Sequence, residues 1–96
     1  MKPSAALALH RIAVRDIIEA HRGRNARVFG SVAHGTDTEN SDLDILIDAT
    51  STTTLLDIGA MRHELLTLLG VPVDIVTLKA LPTHFHHQVL LDALPI

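Results

Sequence analysis

The chain has 96 residues, 47% of them hydrophobic, and a net charge of −3 at pH 7 with neutral histidines. This length predicts a single domain, residues 1–96, and the absence of cysteine excludes a disulfide framework and thiolate chemistry. No apolar segment has the length of a membrane span, and the first residues lack the features of a signal peptide, so we expect a cytoplasmic protein with no membrane partner.

The first predicted element is a helix from Ala5 to about His21. Ser4 is a suitable N-cap, and Gly23 is suited to end the helix. Apolar residues recur within it at roughly helical spacing, which predicts a buried stripe. The residues of this stripe are Leu9, Ile12, Ile17 and Ala20.

The rest of the chain alternates between short aliphatic runs and helical patterns separated by turn formers. The predicted elements, in order, are a strand at Ala26–Phe29, a helical turn at Ser31–His34, a polar loop at Gly35–Ser41, a strand at Leu43–Ile47, a helix at Thr54–Leu69 stopped by Gly70, a strand at Val71–Thr77 and a helix from Leu81 to about Ala93. This order predicts an α/β (α+β) fold, a small mixed β-sheet of about three strands with helices packed on it.

The core must be aliphatic, because the chain contains two Phe and no Trp or Tyr. So short a chain has more apolar side chains than a fully buried core absorbs, which predicts a patch covered by a partner. The segments Val89–Leu91 and Ala93–Ile96 are the main candidates for this patch.

The stretch from Phe29 to Asp48, FGSVAHGTDTENSDLDILID, contains the residues of a candidate site. A glycine after a strand lets a ligand approach the backbone, and free N–H groups at the start of a helical turn can bind a phosphate. Asp42 and Asp44 are two residues apart at an aliphatic strand, so we expect both carboxylates on one face, close enough to share a divalent cation. The pattern predicts a metal-dependent nucleotide site.

Asp74 provides a third carboxylate. It lies between Val73 and Ile75 in an otherwise apolar strand, where a buried and unpaired aspartate would be costly. We therefore expect Asp74 to face a cation or a network of hydrogen bonds. An ion pair with an arginine of the first helix is the alternative.

The stretch from Phe29 to Asp48 resembles the signature of the DNA polymerase β-like nucleotidyltransferase superfamily. The signature consists of an apolar residue, Gly-Ser, a polar segment and then Asp-x-Asp between apolar residues. Within this superfamily, the chain is most similar to the minimal nucleotidyltransferases, or MNT domains, and the segments VPVDIVTL and Ala-Leu-Pro extend this resemblance over most of the chain. The resemblance implies a polymerase β-like nucleotidyltransferase fold. It implies that the catalytic and metal-binding residues are Asp42, Asp44 and Asp74, and that the nucleotide and phosphate ligands are Gly30, Ser31, His34 and Ser41.

One residue departs from the pattern of the family. His34 stands where minimal nucleotidyltransferases usually have arginine, and a histidine provides a weaker cation than arginine at neutral pH.

The resemblance also implies a reaction and a partner. A Mg²⁺-dependent enzyme, with two ions, would transfer AMP from ATP to a hydroxyl of a partner protein, and would act as the antitoxin of a HEPN-type ribonuclease toxin. Because this chain has no tyrosine, any tyrosine acceptor must belong to another protein. The alternatives are a non-catalytic antitoxin that occludes the toxin, and a nucleotidyltransferase with a small-molecule acceptor.

Five arginines are concentrated near the start of the chain. A solvated surface is the favoured interpretation, with a nucleic-acid patch or a surface for an acidic partner as alternatives, so no direct nucleic-acid binding is expected. These residues are Arg11, Arg15, Arg22, Arg24 and Arg27.

Overall fold

Four α-helices and four strands alternate along residues 1–96, all of which the computed structural model describes. In chain order the elements are α1 (Pro3–Ala20), β1 (Gly23–Phe29), α2 (Gly30–His34), β2 (Leu43–Ala49), α3 (Leu55–Leu69), β3 (Val73–Thr77), α4 (His86–Asp92) and β4 (Leu94–Pro95), with two 3-10 turns at Leu78–Ala80 and Thr83–Phe85. No helix of the chain combines the length and the apolarity that crossing a bilayer requires.

The strands form one mixed sheet in the order β3-β2-β1-β4. Strands β1 and β2 are antiparallel, and α3 provides the crossover that lets β3 lie parallel to β2. The mixed α/β sheet is therefore confirmed, with one strand more than the three predicted. The extra strand is β4, in which Leu94 and Pro95 pair with Val28 and Arg27 at the edge of the sheet, where proline is tolerated.

The helices cover one face of the sheet. Alternate residues of β2, namely Leu43, Ile45 and Ile47, are buried in the same cluster as the inner side chains of α1 and α3. Asp44 and Leu46 lie between them and project from the opposite face, where Asp44 is partly buried and Leu46 is fully buried. Strand β2 also contacts α2 and the 3-10 turn Leu78–Ala80. The Cα dimensions of 35 × 30 × 18 Å agree with one helical layer on one sheet.

Helix α1 differs from its prediction at both ends. It begins at Pro3 with Lys2 as N-cap, so Ser4 lies inside the helix, and it ends at Ala20. The left-handed residue after the helix is Arg22, with φ of 68°, and Gly23 already begins β1. Gly23 is required by packing, because a Cβ there would lie 2.7 Å from Ile18 Cγ2.

The predicted apolar stripe of α1 is wrong for three of its four residues. Leu9 and Ile12 are each 67% exposed, and Ala20 is exposed as well. The side chains that α1 does bury repeat at spacings of three, four and seven, so they lie on one face. They are Pro3, Ala6, Leu7, Val14 and Ile18. His10 has non-helical angles, φ −126° and ψ 23°, between these turns.

The predicted end of α3 is confirmed, and the predicted last helix is not. Gly70 adopts φ of 69° at the C-cap of α3. A continuous helix from Leu81 does not form, because the residue before a proline is disfavoured in helical conformation, and Leu81 is extended with φ −89° and ψ 144°. The α-helix begins only at His86, after the turn Thr83–Phe85.

Candidate active site

Two of the predicted carboxylates are direct neighbours across the sheet. Asp44 on β2 is opposite Asp74 on the parallel strand β3. Opposite residues project from the same face, and because Leu43 and Ile45 point towards the helices, both carboxylates lie on the other face. Asp44 is partly buried, while Asp74 is exposed. The burial expected for Asp74 is wrong, because β3 is an edge strand of the sheet.

Asp42 lies just before β2 rather than on it, and its side chain is exposed. Burial, together with the negative charges of Asp74 and Asp42, raises the pKa of Asp44 to about 6. The three predicted acidic residues therefore share one electrostatic environment, centred on Asp44.

No basic side chain compensates this negative charge. None of the ion pairs of the structure involves Asp42, Asp44 or Asp74. Carboxylate oxygens are the ligands that Mg²⁺ prefers, so the residue types and the uncompensated charge fit a hard divalent cation. The side chains do not converge into a coordination sphere, since no group of three or more His, Cys, Asp or Glu is arranged to hold an ion.

Gly30 brings the start of α2 against the acidic site. Its φ is +69°, a left-handed conformation that glycine adopts without strain. A Cβ at this position would overlap Asp44 Oδ2, so only glycine lets the backbone approach the carboxylate this closely. Ser31 follows in the first turn of α2. The predicted phosphate residues and the predicted metal residues are thus adjacent in space at this point.

Ser41 and His34 already have partners within the chain. Ser41 Oγ accepts a hydrogen bond of 2.9 Å from the backbone N–H of Thr38 and lies 3.4 Å from Thr38 Oγ1, with which it shares a second hydrogen bond. His34 lies at the end of α2, where its Nε2 is 2.8 Å from Asp92 Oδ2 on α4. His34 thus joins α2 to α4, and the sequence had no local signal that would predict this contact.

The site is an open surface. The one cavity of the molecule is lined by residues 8–13 of α1 and includes none of the carboxylates. It contains no cluster of acidic groups, so the acidic residues at β2 and β3 remain the candidate site.

The five arginines of the first part of the chain all make hydrogen bonds within it. Two of them hold the C-terminus, since Arg11 donates to the carbonyl of Pro95 and Arg15 to that of Ile96. Of the others, Arg22 donates to Asp57, Arg24 to the carbonyl of Glu19 and Arg27 to Asp48. Each of the five arginines therefore makes at least one interaction that supports the fold.

The fold and the site together define a nucleotidyltransferase. The family described as "Nucleotidyltransferase domain" matches residues 11–96, and the chain belongs to this family. A candidate protein adenylyltransferase of Methanocaldococcus jannaschii is 31% identical over 80 residues, which are 83% of this chain and 86% of that protein. The protein adenylyltransferase MntA of Thermococcus cleftensis is 33% identical over 85 residues, 80% of this chain and 86% of that protein.

Solved structures share the fold. A candidate minimal nucleotidyltransferase superimposes with a TM-score of 0.88 and 41% identity, over 97% of this chain and 95% of that one. Two toxin–antitoxin structures are similar in fold only. One contains AMP-PNP, with a TM-score of 0.72, 22% identity and coverage of 97% and 71%. The other, MntA-HepT, has a TM-score of 0.68, 21% identity and coverage of 92% and 69%.

Proposed function

We propose that this chain is a Mg²⁺-dependent adenylyltransferase that transfers AMP from ATP to a hydroxyl of a partner protein and neutralises a HEPN-type ribonuclease toxin. The observation that carries this proposal is the pairing of Asp44 with Asp74 on parallel strands, with the backbone of Gly30 against Asp44. Two relatives named as adenylyltransferases support the reaction, and the MntA-HepT structure supports a toxin as partner.

In this proposal Asp42, Asp44 and Asp74 hold two Mg²⁺ ions. When bound, Mg²⁺ would neutralise the carboxylates and polarise the reacting phosphate oxygens. The hydroxyl oxygen of the acceptor forms a bond to the α-phosphorus while the bond to the β-phosphate oxygen breaks, so that pyrophosphate leaves. Asp74, which is exposed on the edge strand, would take the acceptor's proton.

The residues around the start of α2 would bind the phosphates. Gly30 brings the backbone at the start of α2 against Asp44, and Ser31 would offer its N–H and hydroxyl to a phosphate in the first turn of the helix. The hydroxyl of Ser41 would be a further donor if it turned from Thr38 Oγ1 towards the phosphate. His34 would contribute a positive charge only when its ring is protonated. The Nε2 atom of that ring already contacts Asp92 Oδ2.

An exposed apolar surface supports a protein partner. Residues 85–94 include four large apolar side chains that are at least half exposed, in the part of the chain where the sequence predicts a covered patch. They are Phe85, Leu90, Leu91 and Leu94. Because α4 contacts α2, a partner bound there would lie next to the element that carries Gly30 and Ser31.

The proposal is tested by incubating the purified chain with α-labelled ATP, Mg²⁺ and the product of the adjacent gene. We expect label on the partner, and its loss in the double variant Asp42→Asn, Asp44→Asn. Asp48→Asn is the matched control, because Asp48 lies on the same strand but pairs with Arg27 outside the site. Label that persists in the double variant contradicts the assignment of these carboxylates.

The exposed apolar surface equally favours a second function, that of a non-catalytic antitoxin that occludes the toxin. In that case the double variant would still protect cells from the toxin, and ATP would not label the partner. A third outcome, labelled product of low molecular mass with unlabelled partner, would identify a small-molecule acceptor.

A further inference from the structure

Helix α1 begins without a capping group of its own. Its N-cap, Lys2, makes no side-chain hydrogen bond to the helix, and the first turn contains no acidic residue. The first N–H groups of a helix have no partner within it, and they form the positive end of the helix dipole. An acceptor for this end of α1 must therefore come from another part of the chain.

Asp37 provides that acceptor. Its Oδ2 accepts a hydrogen bond of 2.9 Å from the backbone N–H of Ser4, in the first turn of α1. Asp37 is 7% exposed and is the one charged or polar residue among the buried residues of the molecule. The hydrogen bond from Ser4 lowers the pKa of Asp37, although burial acts in the opposite direction. The carboxylate is thus an ionised cap, contributed by a residue distant in sequence.

Asp37 also lies in the middle of the loop that leads to the acidic site. On one side, Thr36 continues the end of α2 through a hydrogen bond from its N–H to the carbonyl of Ser31. On the other side, Thr38 and Ser41 close a turn, in which the N–H of Ser41 donates to the carbonyl of Thr38 at 3.1 Å. Asp42 follows immediately. The contact of Asp37 with α1 is the long-range bond that joins this loop to the helical layer.

We propose that Asp37 is a positioning residue: by capping α1 it holds the loop of residues 35–42, and with it Asp42, beside Asp44. The part of this inference that concerns Asp42 rests on the proposed function. The bond also acts in the other direction, since an ordered loop stabilises the start of α1. The acidic site and the N-terminal turn are therefore coupled.

The test compares Asp37→Ala with Asp37→Asn. We measure hydrogen–deuterium exchange of the amides of residues 36–42, and Mn²⁺ binding by calorimetry and by the paramagnetic resonance of free Mn²⁺. Asp37→Ala removes the acceptor, so we expect loop exchange to rise, and the Mn²⁺ affinity to fall, by about tenfold. Asp37→Asn keeps an oxygen that can accept from the N–H of Ser4. We therefore expect its loop exchange and its Mn²⁺ affinity to be close to those of the wild type.

Two controls separate positioning from general destabilisation. Asn40→Ala removes from the same loop an exposed side chain that makes no hydrogen bond, and Val14→Ala weakens α1 by a cavity in the core without touching the loop. Both should bind Mn²⁺ like the wild type well below their unfolding temperatures. The proposal is overturned if Asp37→Ala has the Mn²⁺ affinity or the loop exchange rate of the wild type. It is also overturned if Val14→Ala changes the Mn²⁺ affinity or the loop exchange rate as much as Asp37→Ala does. A wild-type chain that binds no Mn²⁺ contradicts the proposed metal site instead, and loop exchange then decides whether Asp37 anchors the loop.

Discussion

Gly30 determines how closely the backbone at the start of α2 approaches the carboxylate of Asp44. Gly30→Ala would introduce a Cβ that overlaps Asp44 Oδ2, in addition to the cost of a left-handed alanine. Gly70→Ala is the matched control, because Gly70 has the same φ of +69° with open space around its Cβ position. We expect Gly70→Ala to lower the free energy of unfolding by about 1 kcal/mol and Gly30→Ala by more, with loss of nucleotide transfer only in the latter.

Denaturant unfolding and the labelling assay check this pair of variants. Equal losses of stability in the two variants, with transfer retained in Gly30→Ala, would contradict the close approach of Gly30 to Asp44.

Asp44 lowers stability at neutral pH in the absence of a cation. Its folded pKa of about 6 lies above the ordinary value of 3.8, so the folded chain binds this proton more tightly than the unfolded chain. The resulting contribution to stability is present below about pH 4 and is lost as the pH rises to about 6. Asp44→Asn should therefore be more stable than the wild type above pH 6, by on the order of 1 kcal/mol after allowance for solvent screening.

Urea unfolding at pH 4, 6 and 8 measures this difference. Asp48→Asn, on the same strand, should have the opposite effect, because Asp48 is paired with Arg27 at 2.6 Å. A wild type as stable as Asp44→Asn at pH 8 without metal would show that the three carboxylates do not repel one another.

At the scale of elements, local capping sets the start of α3 and joins it to α1. Thr54 Oγ1 accepts from the N–H of Asp57 at 3.2 Å, and Asp57 Oδ2 accepts from the N–H of Thr54 at 2.9 Å. Asp57 Oδ1 also accepts from Arg22, just beyond the end of α1. The capping box thus fixes the first turn of α3 against the neighbouring helix.

Thr54→Ala removes one bond of this box and should lower the free energy of unfolding by about 1 kcal/mol, while nucleotide transfer remains. Thr54→Ser keeps the hydroxyl and should retain wild-type stability. Thermal and urea unfolding distinguish the two, and equal stability of the alanine and serine variants would argue against the cap.

At the scale of the whole molecule, one face of the sheet is covered by helices and the other presents the acidic residues. An acceptor on another protein can reach Asp74 directly, because Asp74 is exposed on the edge strand β3. The exposed side chains of residues 85–94 lie on α4 and its neighbours, which contact α2. Recognition of the partner and chemistry are therefore expected on adjacent surfaces.

Leu91→Asp tests the partner surface, since Leu91 is 67% exposed and its loss leaves the core intact. We expect it to weaken binding of the toxin by at least about tenfold in calorimetry. Leu56→Asp is the control, because Leu56 is 86% exposed on α3 and lies outside residues 85–94. If Leu56→Asp weakens the complex and Leu91→Asp does not, the partner binds on another surface.

Much of the candidate site could be predicted from short segments. The turn at α2, the strand that follows Asp42 and the stop at Gly70 all depend on neighbours within a few residues, because caps, turns and strand alternation are local interactions. These are the features that the sequence by itself determined. The local pattern at Gly30-Ser31 and Asp42-x-Asp44 also contains the residue types that the chemistry requires.

Other features were decided only by the tertiary structure. The pairing of Asp44 with Asp74 depends on the register of two parallel strands, and the cap that Asp37 places on α1 joins residues 33 apart in sequence. The exposure of Leu9 depends on which side of α1 meets the sheet, and β4 forms because the edge of β1 offers Leu94 a strand to pair with. Sequence periodicity describes each element separately, whereas register, burial and long-range hydrogen bonds arise only when the elements pack together.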